Sequence, residues 1–231
     1  MRRGGTVWIT RARPGAEATA RRVEALGYEA LVDPLLEIRF LAPAVDLAGI
    51  GALAFTSANG VEAFARLTSA RDLPVFAVGD ATARAARAAG FAEPFSADGD
   101  VEALAALIAR TCPGPVLAVG AREPAADLPA LLTRAGVVAR SLAVYAAIDR
   151  PPAPETLGQL AGLEAVLLQS PRAARGLADL LHHAPAPALQ ALCLSPAVAQ
   201  PLLAAHRAGR IGSVAFAPRP RESDLLNLLG R

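Results

Sequence analysis

The chain has 231 residues, 53% of them hydrophobic, and a formal net charge of +2. This length and apolar content allow one large core or two smaller ones, which excludes a disordered tail. The nearly balanced charge argues against a broad nucleic-acid surface, although all 23 basic residues are Arg, a bias typical of some genomes but also suited to carboxylates.

Cysteine and histidine usage excludes a further class of site. Cys112 and Cys193 lie far apart, and the three His residues lack the spacing of zinc ligands, so we expect no disulfide framework and no metal. The early apolar run VWIT is too short for a signal peptide, and no apolar span reaches 18 residues. We expect a soluble, cytoplasmic, monomeric protein that binds neither membrane nor nucleic acid.

Short β-rich runs alternate with helical patterns along the chain. In chain order the runs are TVWIT, ALAFT, PVFAV, PVLAV, AVLLQ, ALCLS and SVAFA. Apolar runs that alternate with amphipathic helices indicate parallel sheets, and therefore an α/β protein.

Helix boundaries are predicted from caps and from a 3.6-residue apolar period. A helix is expected to start at Pro14 and to stop at Gly27, and Asp100 is expected to cap a later one. Ser170 and Ser195 each precede a proline suited to a first helical turn.

The sequence contains an internal repeat of the same pattern of elements. The segment from Ile9 matches in kind the segment from Val119, and LAFTSANGVEAFARL matches VLLQSPRAARGLADLL. VFAVGDATARAARAAG likewise matches ALCLSPAVAQPLLAAHRAG. We therefore expect two similar parallel-sheet α/β domains.

Two long extended segments, 32–41 and 138–150, follow the repeated strands and are interpreted as linkers. In this interpretation one domain is inserted in the other, and a two-stranded ladder joins them. The expected bounds are 1–36 plus 148–231 for the first domain and 42–138 for the second. The linker strands are expected at 37–41 and 139–147.

Nucleotide-binding fingerprints are missing, because the sequence contains neither GxGxxG nor GxxxxGK[ST]. We therefore expect no cofactor. Instead, small hydroxyls follow several strands, which suggests a polar, anionic ligand at the strand ends, although each hydroxyl could simply cap its own helix. These residues are Thr10, Thr56, Ser57, Thr82, Ser170 and Ser195.

Arginines occupy the same junctions, and they would either meet ligand carboxylates or be ordinary solvated charges. They are Arg11, Arg13, Arg122 and Arg172. Tyr145 lies on the second linker, where its hydroxyl could act as a donor or acid, or where the ring could belong to a core. No nucleophile motif occurs, so chemistry would depend on holding a substrate.

The order of these motifs resembles the uroporphyrinogen-III synthase family over nearly the whole chain. The resemblance rests on ITRARPGAEATARRVEALGYE, LAFTSANGVEAF, FAVGDATARAARAAGF, LAVYAAID, LLQSPRAARGLADLL, CLSPAVAQPL and AFAPRPRESDLLNLL. It implies two α/β domains, one inserted in the other, with the active site in the cleft between them.

The resemblance also implies the chemistry. The family closes linear hydroxymethylbilane, which carries eight carboxylates, into a macrocycle with inversion of the last pyrrole ring. Loss of the substrate hydroxyl gives an azafulvene, attack by the substituted carbon of the last ring gives a spiro intermediate, and fragmentation and reclosure follow. No cofactor is implied, and we expect a transient hand-over of substrate from hydroxymethylbilane synthase.

Family positions are carried over to matching residues. The tyrosine thought to help the hydroxyl leave matches Tyr145, and a loop threonine matches Thr82. The expected substrate-binding residues are Thr10, Arg11, Thr56, Ser57, Thr82, Ser170, Pro171, Arg172, Ser195, Ala197 and Val198.

One departure from the family pattern matters. Ala197 and Val198 stand where threonine is usual, and Ala146 follows the tyrosine instead of arginine or glutamine. A second hypothesis is therefore a catalytically weakened, two-lobed tetrapyrrole-binding or regulatory relative. A third is an unrelated two-domain protein that binds a small molecule.

Overall fold

A computed structural model describes residues 4–13, 15–112 and 114–230 of the chain. The chain divides into two compact units. Unit 1 comprises Met1–Glu37 and Ile148–Arg231, and unit 2 comprises Ile38–Ala147. The two units are described separately.

The strands of the described residues are short, apart from one. They are β1 (Thr6–Ile9), β2 (Glu29–Val32), β3 (Leu36–Phe40), β4 (Ala52–Phe55), β5 (Val75–Ala77), β6 (Phe95–Ser96), β7 (Val116–Ala121), β8 (Ala139–Asp149), β9 (Ala165–Leu168), β10 (Ala186–Cys193) and β11 (Ile211–Phe216). Every β-rich run predicted from the sequence is a strand, and the two extended segments contain β3 and β8.

Helices follow most of these strands, although β2 leads directly to β3 and two helices lie between β10 and β11. They are α1 (Gly15–Ala25), α2 (Ala58–Leu67), α3 (Asp80–Ala88), α4 (Val101–Thr111), α5 (Leu128–Arg134), α6 (Pro154–Gln159), α7 (Pro171–His183), α8 (Pro196–Ala199), α9 (Leu203–Arg207) and α10 (Glu222–Leu226). No helix in the described ranges is long and apolar enough to span a membrane.

Several predicted helix boundaries are confirmed. Gly27 ends α1 with a positive φ of 89°, a conformation that glycine adopts without steric cost. Asp100 caps α4 by accepting a hydrogen bond from the Ala103 amide. Pro14, the predicted start of α1, lies outside the described residues.

The sheet of unit 1 has the order β11-β10-β9-β1-β2. All its neighbouring strands pair in parallel. Counted within the unit, this is the doubly wound order 2-1-3-4-5. The predicted class of mixed α/β protein with parallel sheets is therefore confirmed.

The sheet of unit 2 has the order β3-β8-β7-β4-β5-β6. Five of these strands repeat the spatial order of unit 1. In this match β7 and β8 correspond to β1 and β2, and β4, β5 and β6 correspond to β9, β10 and β11. In chain order, however, β7 and β8 come after β4, β5 and β6, so unit 2 is a circular permutation of unit 1. This permutation explains why the sequence repeat occurs in shuffled segments.

Each sheet has a point at which the winding reverses. In unit 1, β1 leads through α1 to β2 on one side, and β9 leads through α7 to β10 on the other. In unit 2, β4 leads to β5 on one side, and β7 leads to β8 on the other. Ligands of open α/β sheets bind at the carboxyl ends of the strands beside such a switch point.

Both sheets are covered on both faces, which is why their strands are apolar at successive positions. In unit 1, Trp8 packs in one core cluster, whereas Val7 and Ile9 pack in the opposite one. In unit 2, Phe55 faces α2 and α3, and Ala54 faces α4 and α5. Alternate residues thus supply two separate cores, as the period of two along a strand requires.

Candidate functional site

The Tyr145 hydroxyl lies 2.9 Å from Oγ of Ser57, within hydrogen-bond distance. Ser57 is the N-cap of α2, and its Oγ accepts a hydrogen bond of 3.1 Å from the Gly60 amide. Tyr145 is 9% exposed, so its ring belongs to the core while its hydroxyl meets a polar group. Both sequence interpretations of Tyr145, core residue and polar donor, are therefore compatible with its placement.

A register shift in β8 determines the face on which Tyr145 lies. Gly120 aligns with Ala143, but the next residue of β7, Ala121, aligns with Tyr145. The extra residue places Val144 and Tyr145 in the same core cluster, although they are consecutive. Because side chains normally alternate between faces, this bulge directs the Tyr145 ring towards α2 and Ser57.

A glycine brings the start of α2 close to the sheet. A Cβ atom at Gly60 would lie 3.2 Å from the Val119 carbonyl oxygen and 3.5 Å from Ser57 Oγ. Such a side chain would require the neighbours to shift. The glycine therefore allows the first turn of α2, and Ser57 with it, to sit against β7 beside Tyr145.

A cavity of about 390 Å³ lies at the switch point of unit 2. Its polar lining consists of Thr56, Arg122, Asp127 and Ser141, and Gly120 lies among them. The Arg122 amide donates to the Tyr145 carbonyl oxygen at 2.8 Å, which ties the loop after β7 to β8. Two of the junction residues that the sequence singled out, Thr56 and Arg122, therefore meet at one cavity.

Thr82 lies in the first turn of α3 and is 5% exposed. Its hydroxyl has no hydrogen-bond partner among the described residues. Asp80 stands at the start of the same helix, with Gly79 as the N-cap. An anion at this helix terminus would therefore meet a carboxylate that already occupies the favourable position.

In unit 1 the Thr10 hydroxyl serves the sheet. It donates a hydrogen bond of 2.7 Å to the Leu167 carbonyl oxygen, and the residue is completely buried. A buried hydroxyl with its proton engaged in this way joins β1 to β9. The Thr10 hydroxyl therefore has no proton left to donate to a ligand.

Arg11 is held by an acidic side chain from the end of the chain. Its guanidinium lies 3.5 Å from a carboxylate oxygen of Glu222, which also pairs with Arg22 and accepts a hydrogen bond from Thr19. Arg13 pairs with Glu17 one helical turn away. These contacts favour the interpretation of both arginines as loop charges.

Ser170 caps α7 by accepting a hydrogen bond of 3.2 Å from the Arg172 amide, and Pro171 occupies the first helical turn. The Arg172 guanidinium binds Asp149 through two bonds, of 2.7 and 3.0 Å. The hydrogen bonds from Arg172 hold the pKa of Asp149 below its usual value. The Asp149 carboxylate therefore already occupies two donors of this guanidinium.

The SPAVA segment forms only a single turn. Ser195 is the N-cap of α8, but its side chain makes no capping hydrogen bond, so the predicted cap is wrong in this respect. Val198 is 3% exposed and packs in the core of unit 1, whereas Ala197 is exposed. Burial assigns the Val198 side chain to packing, so a contact with substrate at this position would have to come from the backbone.

Asp33 is a buried charge that no sequence motif singled out. Its carboxylate accepts hydrogen bonds from the Arg150 guanidinium at 2.6 Å and the Ala153 amide at 2.7 Å. Burial raises the pKa of Asp33, but the bonds from Ala153, Thr156 and Arg150 outweigh burial and lower it overall. This group stabilises unit 1 and has no evident chemical role.

The structure thus brings together Ser57 and Tyr145, and separately Thr56 and Arg122, within unit 2. In unit 1, Thr10, Ser170 and Ser195 follow the neighbouring parallel strands β1, β9 and β10 at one edge of the sheet. No hydrogen bond joins their side chains to one another among the described residues. Sequence reasoning missed Asp127 and Ser141 as cavity residues. The strand order could have indicated Ser141, because β8 pairs with β7 and Ser141 aligns with Ala118, which also lines the cavity.

Cys112 and Cys193 are free thiols. Cys193 is buried, and burial raises the pKa of its thiol to about 12, so the thiolate is scarce near neutral pH. Cys112 is partly exposed. Among the described residues, no group of three or more His, Cys, Asp or Glu side chains could hold a metal.

Comparison with known proteins connects this architecture to a family. The family model described as uroporphyrinogen-III synthase HemD matches residues 17–227. The uroporphyrinogen-III synthetase of Helicobacter pylori has 20% sequence identity and a TM-score of 0.66, covering 99% of this chain and 98% of that chain. A mutant uroporphyrinogen III synthase from Thermus thermophilus has 19% identity and a TM-score of 0.55, covering 97% of each chain.

No curated protein matches the sequence significantly. At identities this low, the structural matches bear on the fold, and the family is shown by the sequence model that spans most of the chain. The resemblance stated from the sequence motifs is confirmed. The chain belongs to the uroporphyrinogen-III synthase family, the cyclising hydro-lyases of tetrapyrrole synthesis.

Proposed function

We propose that this protein converts hydroxymethylbilane to uroporphyrinogen III, with inversion of ring D through a spiro intermediate and loss of water. The family match over residues 17–227 supports the reaction. The hydrogen bond between Ser57 and Tyr145 supports the assignment of Tyr145 as the residue that assists departure of the substrate hydroxyl.

Tyr145 acts by donating its phenolic proton towards the leaving oxygen. The C–O bond of the hydroxymethyl group breaks, and the oxygen leaves as water with the proton of Tyr145. The pyrrole N–H gives up a proton, which restores the phenol, and a neutral azafulvene remains. The substituted carbon of ring D then attacks to form the spiro intermediate, which fragments and recloses. Donation to a leaving group in the transition state typically contributes about 100-fold to 10,000-fold.

Ser57 sets the direction of the Tyr145 proton. Oγ of Ser57 accepts a hydrogen bond from the Gly60 amide, so its own proton can point at the Tyr145 oxygen 2.9 Å away. The phenol then accepts from Ser57 and directs its proton outward to substrate. Hydrogen bonds arranged in series polarise one another, which strengthens the final donor.

The remaining residues are proposed to hold the polycarboxylate in a folded conformation. In unit 2 these are Thr56 and Thr82, and in unit 1 they are the strand-end segments containing Ser170, Pro171, Ser195 and Ala197. Arg11 and Arg172 would join them only by exchanging Glu222 and Asp149 for substrate carboxylates. Because the free bilane closes unaided to the uninverted isomer, the protein needs selectivity. A 100-fold preference requires about 2.7 kcal/mol of differential transition-state stabilisation.

The biological setting follows from the same proposal. We propose a cytoplasmic monomer that receives hydroxymethylbilane directly from hydroxymethylbilane synthase, with domains at 1–36 plus 148–231 and at 42–138. The linker strands are proposed at 37–41 and 139–147. Sedimentation of the purified protein alone and with that synthase tests the oligomeric state and the hand-over.

The isomer assay tests the function. Hydroxymethylbilane is generated freshly, the purified protein is added, and the products are oxidised to porphyrins and separated as isomers. We expect type III product at a rate proportional to enzyme concentration. Type I product alone, from bilane shown to be competent with another synthase, would contradict the proposal and favour the catalytically weakened relative.

A further inference from the structure

The cavity at the switch point of unit 2 has the position and size of a small-molecule site. It adjoins the carboxyl ends of β4 and β7, where Thr56 and Gly120 lie. Crevices at such points are the usual ligand sites of open α/β sheets. Its volume of about 390 Å³ lies at the lower end of the range of about 300–1,000 Å³ for small-molecule sites.

The polar groups of this cavity make few hydrogen bonds within the protein, and Arg122, Asp127 and Ser141 are exposed to solvent. Among the residues that the structure describes, the Arg122 guanidinium has no ion pair, and the hydroxyls of Thr56 and Ser141 have no hydrogen-bond partner. One oxygen of Asp127 accepts the Ala130 amide at 3.0 Å, and the other accepts nothing from the described residues. The cavity therefore offers a cation, two hydroxyls and one acceptor to a ligand.

The absence of a side chain at Gly120 keeps the Thr56 hydroxyl open. A Cβ atom at this position would lie 3.3 Å from Oγ1 of Thr56, and among the described residues it would approach no other atom within 4 Å. The backbone itself does not demand glycine, since Gly120 is not among the positive-φ residues. Space for a ligand beside Thr56 is a physical reason for glycine here.

The rest of the lining is apolar and includes Ala118, Leu128 and Pro129. Small apolar groups of this kind suit the face of a flat ring. A pyrrole that carries carboxylate side chains matches both the apolar and the polar lining of this cavity. Its face is apolar, its N–H is a hydrogen-bond donor and its side chains are anions. Arg122 would neutralise an arm, and the free Asp127 oxygen would accept the ring N–H.

We propose that this cavity binds one carboxylated pyrrole ring of the substrate, with Arg122 and Asp127 as specificity-determining residues. The identity of the ligand rests on the proposed function, since that function supplies a tetrapyrrole. The bond from the Arg122 amide to the Tyr145 carbonyl places the ring site next to the proposed donor. A ring anchored here restrains the conformation of the bilane near Tyr145.

The direct test uses porphobilinogen, a stable monopyrrole that carries one acetate and one propionate. Titration of ¹⁵N-labelled protein with porphobilinogen should shift the amide signals of Thr56, Gly120 and Arg122. Arg122→Gln should weaken the apparent affinity about tenfold, as expected for the loss of one charged hydrogen bond. Gly120→Val should remove binding by filling the cavity.

Matched controls separate this site from general electrostatics and from misfolding. Arg134→Gln removes an exposed arginine from the last turn of α5, outside the cavity lining, and should leave the affinity unchanged. If Gly120→Val disturbs the fold, Gly120→Ala gives a milder obstruction. The proposal is overturned if tens of millimolar porphobilinogen cause no shifts, or if Arg122→Gln and Arg134→Gln weaken binding equally.

Turnover of hydroxymethylbilane distinguishes the two proposals. Arg122→Gln should raise KM about tenfold and change kcat much less, because it removes a binding contact. If the unchanged protein binds porphobilinogen in this cavity but forms no type III isomer, only the proposed function fails. If it forms type III isomer and Arg122→Gln leaves both KM and the titration unaffected, only the ring site fails.

Discussion

At the switch point of unit 1, the Thr10 hydroxyl donates a hydrogen bond to a neighbouring strand. The guanidinium groups of Arg11 and Arg172 bind Glu222 and Asp149, respectively. At the switch point of unit 2, the Thr56 hydroxyl and the Arg122 guanidinium line a cavity. The strand order is the same in both units, but the polar groups of unit 1 are largely engaged within the protein. Similar sequence patterns therefore do not imply similar roles, and the hydrogen-bond partners distinguish them.

The same contrast holds for the two capping serines. Ser57 and Ser170 each accept an amide hydrogen bond at the start of a helix. Only Ser57 also contacts a tyrosine hydroxyl. If this comparison is correct, catalysis should depend more on unit 2 than on unit 1, and the following substitutions test that dependence.

The largest effect is expected for Tyr145→Phe. Removing the hydroxyl eliminates the proposed donor to the leaving oxygen, so kcat should fall by about 100-fold. Steady-state formation of type III isomer measures the loss. Tyr28→Phe, in unit 1, is the matched control and should retain activity; comparable losses in both variants would show that the hydroxyl of Tyr145 is not special.

The second effect is expected for Ser57→Ala. Without Oγ, the Tyr145 hydroxyl loses its fixed orientation, so kcat should fall about tenfold, equivalent to about 1.4 kcal/mol, with little change in KM. The helix cap is lost as well, at a cost of about 1 kcal/mol in the free energy of unfolding. Ser57→Thr, which retains a hydroxyl, should restore much of kcat.

Ser170→Ala is the counterpart of that variant in unit 1. It should lower the free energy of unfolding by a similar amount, because it removes an equivalent cap. Any effect on turnover should appear in KM and not in kcat. An equal fall in kcat for both serine variants would contradict a positioning role for Ser57.

A third comparison pairs Thr82→Ala with Val198→Ala. Thr82 has a hydroxyl without a described partner, so its loss should reduce kcat/KM severalfold while stability changes little. Val198 packs in the core of unit 1, so its truncation should cost about 2 kcal/mol of stability and leave kcat/KM of the folded protein nearly unchanged. Turnover and urea unfolding of both variants measure the two effects, and the reverse order of activity loss would overturn this assignment.

The smallest effect on activity is expected for Asp33→Asn, which tests stability alone. The folded-state pKa of Asp33 is lowered, so ionised Asp33 stabilises the fold above its unfolded pKa of about 3.9. This contribution decreases as pH falls through the folded pKa. The difference in unfolding free energy between the two proteins should therefore be largest near pH 7 and shrink below about pH 4.

Asp46→Asn in unit 2 is the control for that measurement. Hydrogen bonds from the Ala48 amide and Arg140 lower the pKa of Asp46, but its side chain is 68% exposed. Solvent and salt screen such a group. Urea unfolding at a series of pH values should show a smaller dependence for Asp46→Asn, and equal dependences would contradict the role assigned to the burial of Asp33.

Much of this fold follows from local sequence. The run AVLLQ predicts a strand buried on both faces, and β9 is buried throughout. The pairs Ser57 with Gly60 and Asp100 with Ala103 form caps because each serine or aspartate precedes an apolar helical period. These features depend on neighbours within one helical turn, which the sequence displays directly.

The site is less accessible to such reasoning because it depends on distant pairings. The bulge that turns Tyr145 towards Ser57 arises where β7 and β8 change register, and no local pattern in LAVYAA announces it. The engagement of Arg11 by Glu222 likewise joins opposite ends of the chain. The motif resemblance identified Tyr145 and Ser57 separately, but only the structure gives their contact.

The position of unit 2 in the chain, between β2 and β9 of unit 1, has a consequence for the biogenesis of the protein. β1 is an interior strand, and its neighbour β9 begins only at Ala165. At a synthesis rate of about 5–20 residues per second, β1 waits on the order of ten seconds for that neighbour. The strands β4 to β7 of unit 2 emerge from the ribosome during this interval. The second unit in the chain can therefore fold first, while the apolar strand TVWI still lacks its neighbour β9.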